Sequence, residues 1–194
     1  MQALRRYLPR PRDERCELCG AALPGGHTHL LDVRTRRLNC ACEPCSVLFA
    51  HRGASSLRRV GRRVRRLRDF QMTAAEWEAL RIPIGLAFFV RSSAESRVLA
   101  LYPGPAGATE SLLPLDAWRE IAGRNPVLSE IEPDVEALLV NRIRANSDHY
   151  LVPIDRCYEL AGIIRTHWRG FAGGEEAWRE IETFFARLDE ADCA

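Results

Sequence analysis

The sequence contains no lysine, so every one of its 28 basic side chains is an arginine. It also contains no apolar run of the roughly 18 residues that a membrane-spanning helix requires, because the longest run, residues 82–90, includes a proline and a glycine. The first residues lack the apolar segment of a secretory signal peptide. The last two absences predict a cytoplasmic protein with no membrane span.

Motifs that mark common catalytic and nucleotide-binding sites are absent as well. The sequence has no G-x-S-x-G, P-loop or G-x-G-x-x-G pattern. Cys157 falls on the apolar face of a predicted helix, where a cysteine is typical of a packed core rather than of a nucleophile. We therefore assign no catalytic residue and expect a non-catalytic protein.

What the sequence does contain is a concentration of cysteines, because five of its seven lie between positions 16 and 45. Cys16 and Cys19 form one C-x-x-C pair, followed by Gly20, and Cys42 and Cys45 form a second pair. Two thiolates three positions apart on a tight turn can bind one ion, and glycine suits the positive φ of such a turn. In a reducing compartment clustered cysteines favour a metal over disulfides. The pattern predicts a structural metal site with these four cysteines as ligands.

The ligand set has alternatives. Cys40 lies two positions before Cys42, on the same face if the segment is extended, and is an alternative ligand. His27 and His29 lie in the same stretch and could replace a thiolate. A packed cysteine and two exposed loop histidines are the simpler interpretation of these three residues.

The metal has an alternative too. Residues 16–20 are similar to a rubredoxin knuckle, which would hold iron and make an electron carrier. The second knuckle departs from that pattern, because its proline follows Glu43 instead of Cys42 and Ser46 stands where glycine is usual. These departures favour Zn²⁺ over Fe.

The predicted organisation is a small metal module followed by a larger domain. Residues 1–15 are predicted to be a flexible tail, 16–50 a four-cysteine metal-binding ribbon, 51–72 a basic linker and 73–190 an α+β domain. Within the ribbon, residues 30–33 and 37–39 are expected to pair as a hairpin with one cysteine pair at each end, which is the layout of a zinc ribbon. The fold class is therefore α+β.

The larger domain is expected to contain two hairpins and several helices. Apolar runs predict one hairpin from residues 82–90 and 97–102 and another from 135–143 and 150–154, with an irregular loop at 102–110. Thr73 and Glu76 form a capping box that predicts a helix over 74–80. A second short helix is expected over 117–122. Helical spacing of apolar residues predicts two C-terminal helices, from about Asp155 to Trp168 and from about Glu175 to Leu188.

Charge is distributed unevenly along the chain. Residues 1–68 hold 16 arginines and five acidic residues, whereas residues 69–194 hold 12 arginines and 21 acidic residues. The arginine run at 57–68 could bind phosphates, which would make the protein a zinc-ribbon nucleic-acid-binding protein. No aromatic residue interleaves the run, and the acidic half would repel a duplex. We therefore expect a protein partner rather than a nucleic acid, although the acidic half could equally attract the basic one.

The sequence also resembles an uncharacterised bacterial family over about residues 16–188. The resemblance is carried by six stretches: CELCG from Cys16, CACEPC from Cys40, IPIGLAFF from Ile82, YPGPAGATESLL from Tyr102, PDVEALLVNR from Pro133 and LVPIDRCYEL from Leu151. Members of that family are typically encoded among the structural and maturation genes of actinobacterial-type nickel–iron hydrogenases. The resemblance implies a role in hydrogenase assembly or electron delivery, with hydrogenase subunits or maturation factors as partners, and it supplies no catalytic residues.

Overall fold

The computed structural model describes residues 14–50, 56–104, 106–112, 114–143, 147–170 and 173–193. The predicted tail, 1–15, lies outside these residues except for its last two, and so do residues 51–55 of the predicted linker. The chain divides into two compact units between Arg59 and Val60. Within the predicted linker, residues 57–59 form a strand of the first unit and residues 65–66 a strand of the second.

The first unit is built on a three-stranded antiparallel sheet. Its strands lie in the order β2-β1-β3, and helix α1 packs on β1 and β3. The predicted ribbon hairpin is confirmed, because Leu30 pairs with Asn39 and the chain turns between Asp32 and Arg37. The elements are β1 (Thr28–Asp32), β2 (Arg37–Ala41), α1 (Glu43–Ala50) and β3 (Leu57–Arg59).

The apolar core of the first unit is very small. Its buried cluster consists of Cys16, Leu30, Ala41 and Cys45, surrounded by partly buried apolar neighbours, and Leu31 is buried outside that cluster. Two of these four side chains are cysteines, so the core contributes little apolar burial that is independent of the sulfurs. Units of this size rarely hold their fold by burial alone and are usually cross-linked by disulfides or a metal. All the cysteines of the described residues are free thiols.

The second unit is built on a six-stranded antiparallel sheet in the order β4-β9-β8-β5-β6-β7. Both predicted hairpins are confirmed, as β5 pairs with β6 and β8 pairs with β9. The strands are β4 (Arg65–Arg66), β5 (Leu86–Ser92), β6 (Arg97–Gly104), β7 (Gly107–Ser111), β8 (Glu136–Asn141) and β9 (Asp148–Pro153).

The expectation of an irregular loop at 102–110 is wrong. Strand β6 continues to Gly104, and β7 then returns alongside it with Tyr102 opposite Thr109. Gly107, at φ +103°, adopts a conformation that glycine accepts more readily than other residues, and it closes this tight turn at the sheet edge. The prolines and glycines of this stretch therefore mark a hairpin turn rather than a long loop.

Helices cover both faces of the second sheet. Along β5, Ala87 and Phe89 join the core cluster that contains Ile121 of α3, whereas Phe88 points to the other face and contacts Tyr158 of α4. The helices of the second unit are α2 (Ala74–Ala79), α3 (Leu115–Arg124), α4 (Ile154–His167) and α5 (Gly174–Asp192), with a short 3-10 helix at Pro126–Glu130. No helix of the described residues is long and apolar enough to cross a membrane.

Helix boundaries follow local signals in part. The capping box is confirmed at α2, where the side chains of Thr73 and Glu76 each bond the other's backbone N–H. Both predicted C-terminal helices are confirmed. Helix α3 is longer than the predicted 117–122. It begins at Leu115, after Pro114, and continues through Gly123 to Arg124.

The arginines of the basic segment pair with the acidic part of the second unit. Arg63 donates two hydrogen bonds to the buried carboxylate of Glu136, at 3.0 and 2.7 Å. Arg66 bonds Asp148 and Asp189, and its backbone N–H donates to Asp192. Two further ion pairs join Arg65 to Glu130 and Arg68 to Asp192. The opposite charges that the sequence places far apart along the chain thus neutralise each other within one unit.

Candidate metal centre

The four cysteines of the two C-x-x-C pairs lie together in the first unit. The sulfurs of Cys16, Cys19, Cys42 and Cys45 all lie within 4.8 Å of one another, and those of Cys19 and Cys42 are 3.6 Å apart. Cys16 and Cys45 are buried, Cys42 is half-buried and Cys19 is exposed. Four convergent thiols close to the surface are a donor set that could hold one tetrahedrally coordinated metal ion.

The first cysteine pair is held by a tight turn. The N–H of Gly20 donates to the carbonyl of Cys16 over 2.8 Å, and the N–H of Cys16 donates to the carbonyl of Ala21 over 2.8 Å. Gly20 has φ +76°, the left-handed conformation that the sequence predicts for it. The turn brings Cys16 and Cys19 to the same side of the chain.

The second pair lies where β2 passes into α1. Cys42 precedes the helix and its carbonyl accepts from the N–H of Ser46 over 2.9 Å, while Cys45 belongs to the first helical turn. Pro44 is tolerated there because the first N–H groups of a helix have no helical acceptor. The proline and serine that depart from the rubredoxin pattern are therefore explained by a helix start in place of a second tight turn.

Glu43 fastens this helix start to the sheet. Its carboxylate accepts hydrogen bonds from Thr28 of β1 over 3.1 Å and from Arg59 of β3 over 2.7 Å. These two bonds, that of Thr28 foremost, hold the pKa of Glu43 below its usual value, so the carboxylate stays ionised. The second cysteine pair is thus positioned by a side chain between its own two members.

The two cysteine pairs are joined through Glu17 and Cys40. The N–H of Glu17 donates to the carbonyl of Cys40 over 2.9 Å, and the carboxylate of Glu17 accepts from the N–H of Cys40 over 3.0 Å. These reciprocal bonds fix the first turn against the end of β2. The distance between the pairs is therefore set by backbone contacts as well as by any ion they bind.

The sulfurs differ strongly in how easily they ionise. Burial works to raise the pKa of Cys16, but N–H donors from Cys42, Leu18 and Cys19 outweigh it and lower that pKa to about 6. Burial, reinforced by the neighbouring thiols, raises the pKa of Cys45 to about 12. At Cys19 an N–H bond from Ala21 favours the thiolate, yet the adjacent sulfurs of Cys16 and Cys42 prevail and raise the pKa. A cation among the four sulfurs would favour the thiolate form of each, as in a metal site.

The remaining candidates lie outside this cluster. Cys40, His27 and His29 form a group of their own, with ligand atoms within 4.8 Å of one another. Cys157 is fully buried in α4, where burial raises the pKa of its thiol well above the ordinary value. From the sequence, the two histidines and Cys40 are possible substitutes for ligands of the four-cysteine site. The cross-strand register, which groups them apart from that site, is visible only in the folded hairpin.

Both cysteine pairs carry exposed apolar side chains. Leu18, between the first two cysteines, is 39% exposed. After the second pair, three consecutive side chains of α1 are exposed, namely Val47 at 50%, Leu48 at 69% and Phe49 at 40%. Large apolar groups presented to solvent next to a rigid centre are typical of protein-binding surfaces.

These features define a class of protein: an α+β chain of two units, the smaller of which carries a four-cysteine cluster suited to a metal ion. The chain belongs to a family of unknown function, DUF5947, whose model matches residues 15–192. The match spans almost the whole chain, including both cysteine pairs. No curated protein and no solved structure matches it.

Proposed function

We propose that this protein is a non-catalytic, zinc-binding accessory or adaptor protein that acts in the maturation or assembly of a nickel–iron hydrogenase. The observation that carries the proposal is the convergence of Cys16, Cys19, Cys42 and Cys45 in a unit with almost no other core. Four thiolates complete a tetrahedral Zn²⁺ shell and leave no position for a substrate, which is the pattern of structural zinc. The metal would keep the surrounding turns rigid.

The exposed apolar side chains support the adaptor role. Leu18 and the α1 side chains Val47, Leu48 and Phe49 lie next to the cysteines in sequence, so an ion that fixes the cysteines also fixes them. A protein partner would bury this apolar area, which otherwise remains in contact with water. The hydrogenase setting rests on the family resemblance and identifies subunits or maturation factors as the partners to test.

An iron-containing electron carrier is the alternative that the same donor set allows. Cys19 is exposed, so an ion in the cluster would lie near the surface, where electrons can be exchanged with a partner. The helical second pair supports zinc, because it departs from the paired tight turns of a rubredoxin-like site.

A nucleic-acid-binding role has less support, because five arginines of the basic segment already pair with carboxylates of the protein. They are Arg59, Arg63, Arg65, Arg66 and Arg68.

Metal analysis distinguishes zinc from iron. We expect the full chain, purified without added metal, to be colourless and to hold one tightly bound Zn²⁺ that a brief exposure to a mild chelator does not remove. Elemental analysis and the visible spectrum provide the measurement. A red protein with a reversible one-electron couple would replace the zinc proposal by the electron-carrier alternative.

Partner binding can be tested on the exposed face of α1. We expect the Leu48→Asp substitution to reduce co-purification of hydrogenase subunits or maturation factors at least about tenfold, because a carboxylate would be desolvated at an apolar interface. The matched control is Leu112→Asp, which changes a side chain that is 96% exposed in the second unit. Equal recovery with both variants, or no recovery with the unmodified chain, would contradict the adaptor proposal.

A further inference from the structure

A second group of metal-ligating side chains lies on the hairpin of the first unit. His27, His29 and Cys40 are half-buried, and each offers a ligand atom within 4.8 Å of the other two. The imidazole rings of His27 and His29 meet edge to face, with centroids 4.8 Å apart. None of the three belongs to the four-cysteine cluster, so that cluster does not account for their convergence.

The register of the hairpin brings these side chains together. His29 of β1 lies directly opposite Cys40 of β2, so that their side chains emerge on the same face of the sheet. His27 precedes His29 by two positions and therefore projects to that face as well. Cys40 lies 11 positions after His29 and 13 after His27 in the sequence, yet the three side chains converge on one site.

The hydrogen bonds of His27 leave one ring nitrogen ready to bind an ion. Its Nδ1 lies 3.3 Å from the carbonyl oxygen of Pro24 and 3.3 Å from a carboxylate oxygen of Glu14. Both oxygens are acceptors, so the tautomer that fits them carries its proton on Nδ1 and a lone pair on Nε2. Metal-binding histidines commonly have this arrangement, in which one ring nitrogen bonds a carboxylate or carbonyl and the other binds the ion.

Within the part of the chain that the structure describes, that nitrogen has no hydrogen-bond partner. The side chain of His27 is only 7% exposed, and its Nε2 is buried without a hydrogen bond. A buried acceptor with no partner is unfavourable, and native structures usually satisfy such atoms with protein, water or an ion. Ligand atoms of His29 and Cys40 lie within 4.8 Å of the ligand atom that His27 offers.

Charge and donor type indicate which ion would fit. The carboxylate of Glu17, which also pairs with Arg37, accepts from the backbone N–H of Cys40 over 3.0 Å, and that of Glu14 lies beside His27, so two carboxylates are close to the group. Two imidazoles and one thiolate are donors of intermediate softness, which suit Zn²⁺ and its spectroscopic substitute Co²⁺ better than Ca²⁺ or Mg²⁺. Among the described residues no fourth ligating side chain joins the three.

We propose that His27, His29 and Cys40 form a second metal site, which takes a divalent transition-metal ion of the Zn²⁺ class and leaves one coordination position to water or an incoming ligand. Such an open site differs in kind from the closed cluster of four cysteines. An ion held by three side chains, with a replaceable fourth ligand, exchanges more readily than one enclosed by four thiolates. The protein would therefore carry one permanent and one exchangeable ion.

Titration of the metal-free full chain with Co²⁺ tests this site. We expect saturation at two ions per chain: one with the intense thiolate-to-cobalt absorption of a four-sulfur site, the other with weaker absorption. His29→Ala should bind one ion, with the four-sulfur spectrum intact, which shows that the unit still folds. The matched control, His167→Ala at the end of α4, should still bind two. In protein loaded with a single Zn²⁺, at the four cysteines, ¹⁵N NMR should show the His27 tautomer protonated at Nδ1, and further Zn²⁺ should shift the resonance of Nε2.

Two results would overturn the second site. One is saturation of the unmodified chain at a single ion, which would mean that water alone fills the space beside His27. The other is binding of two ions by His29→Ala, which would place the second ion elsewhere. The two proposals can also fail separately. Suppose that the four-sulfur spectrum is missing, but that His29→Ala still binds one ion fewer than the unmodified chain while His167→Ala does not. The four-cysteine proposal then fails and the second site stands.

Discussion

Replacing Cys45 with serine is expected to abolish binding of the proposed Zn²⁺ at the four-cysteine cluster and to unfold the first unit. The serine hydroxyl does not ionise at neutral pH, so the substitution leaves three thiolates and an open shell. Cys45 is also one of four buried side chains in this core. Structural zinc in small domains contributes about 10–16 kcal/mol of apparent binding free energy, whereas a whole domain is stable by about 5–15 kcal/mol. The free energy lost with the ion is therefore larger than the stability that the remaining core can supply.

Amide NMR spectra of the full chain measure this effect. We expect the resonances of the described residues 14–50 and 56–59 to collapse into the range of unfolded chains, while those of the second unit keep their dispersion. The Cys16–Cys45 cluster of the first unit and the cluster around Phe89 in the second share no residue, which is the reason for that difference. Cys193→Ser, which changes an exposed cysteine after α5, is the matched control and should leave both the ion and the spectrum unchanged. A Cys45→Ser protein with a dispersed first unit would show that the cluster does not stabilise the fold.

Replacing Phe89 with alanine is expected to destabilise the second unit by about 3–5 kcal/mol. Phe89 is 1% exposed in the central strand β5, and its ring stacks on Trp118 of α3 at a centroid distance of 4.7 Å. The substitution removes both the apolar burial and the aromatic contact, and it leaves a cavity between the sheet and the helix. A loss of this size removes about a fifth or more of the stability of a typical domain.

Thermal unfolding followed by tryptophan fluorescence checks the prediction. The midpoint for the second unit should fall by roughly 10–20 °C, as expected for a unit of this size. Leu112→Ala, at a side chain that is 96% exposed, is the control and should change stability by less than about 0.5 kcal/mol. The ion at the four cysteines should be retained, because none of its ligands lies in this core. Loss of the ion in Phe89→Ala would contradict the separation of the two cores.

The uneven distribution of arginine and acidic residues along the chain does not by itself say what the arginines bind. Counting residues separates a basic segment from an acidic one, and both a phosphate-binding surface and mutual attraction are consistent with that count. In the fold, Arg66 bonds Asp148 and Asp189 while its guanidinium lies over the ring of Tyr150, 5.8 Å from the centroid. A guanidinium held in this way has little capacity left for a phosphate. Spatial pairing, which the count does not contain, favours mutual attraction for this arginine.

Local signals determined much of this protein from the sequence alone. The C-x-x-C spacing brought each cysteine pair to one turn or helix start, because residues three apart are neighbours in either conformation. The Thr73–Glu76 capping box and the helical spacing after Asp155 identified α2 and α4, and apolar runs around polar turns identified the two central hairpins. In all of these the interacting residues are close in sequence, so their geometry depends on only a few backbone angles.

The tertiary structure alone decided the features that join distant residues. It placed Arg65 and Arg66 beside β9, extended β6 into the β7 hairpin, and grouped Cys40 with His27 and His29 rather than with the other cysteines. A shift of one residue in the β1–β2 register would turn Cys40 to the opposite face and abolish that group. Such a register is set by the packing of the whole unit, since it depends on which side chains are buried together, and residue spacing does not encode that choice.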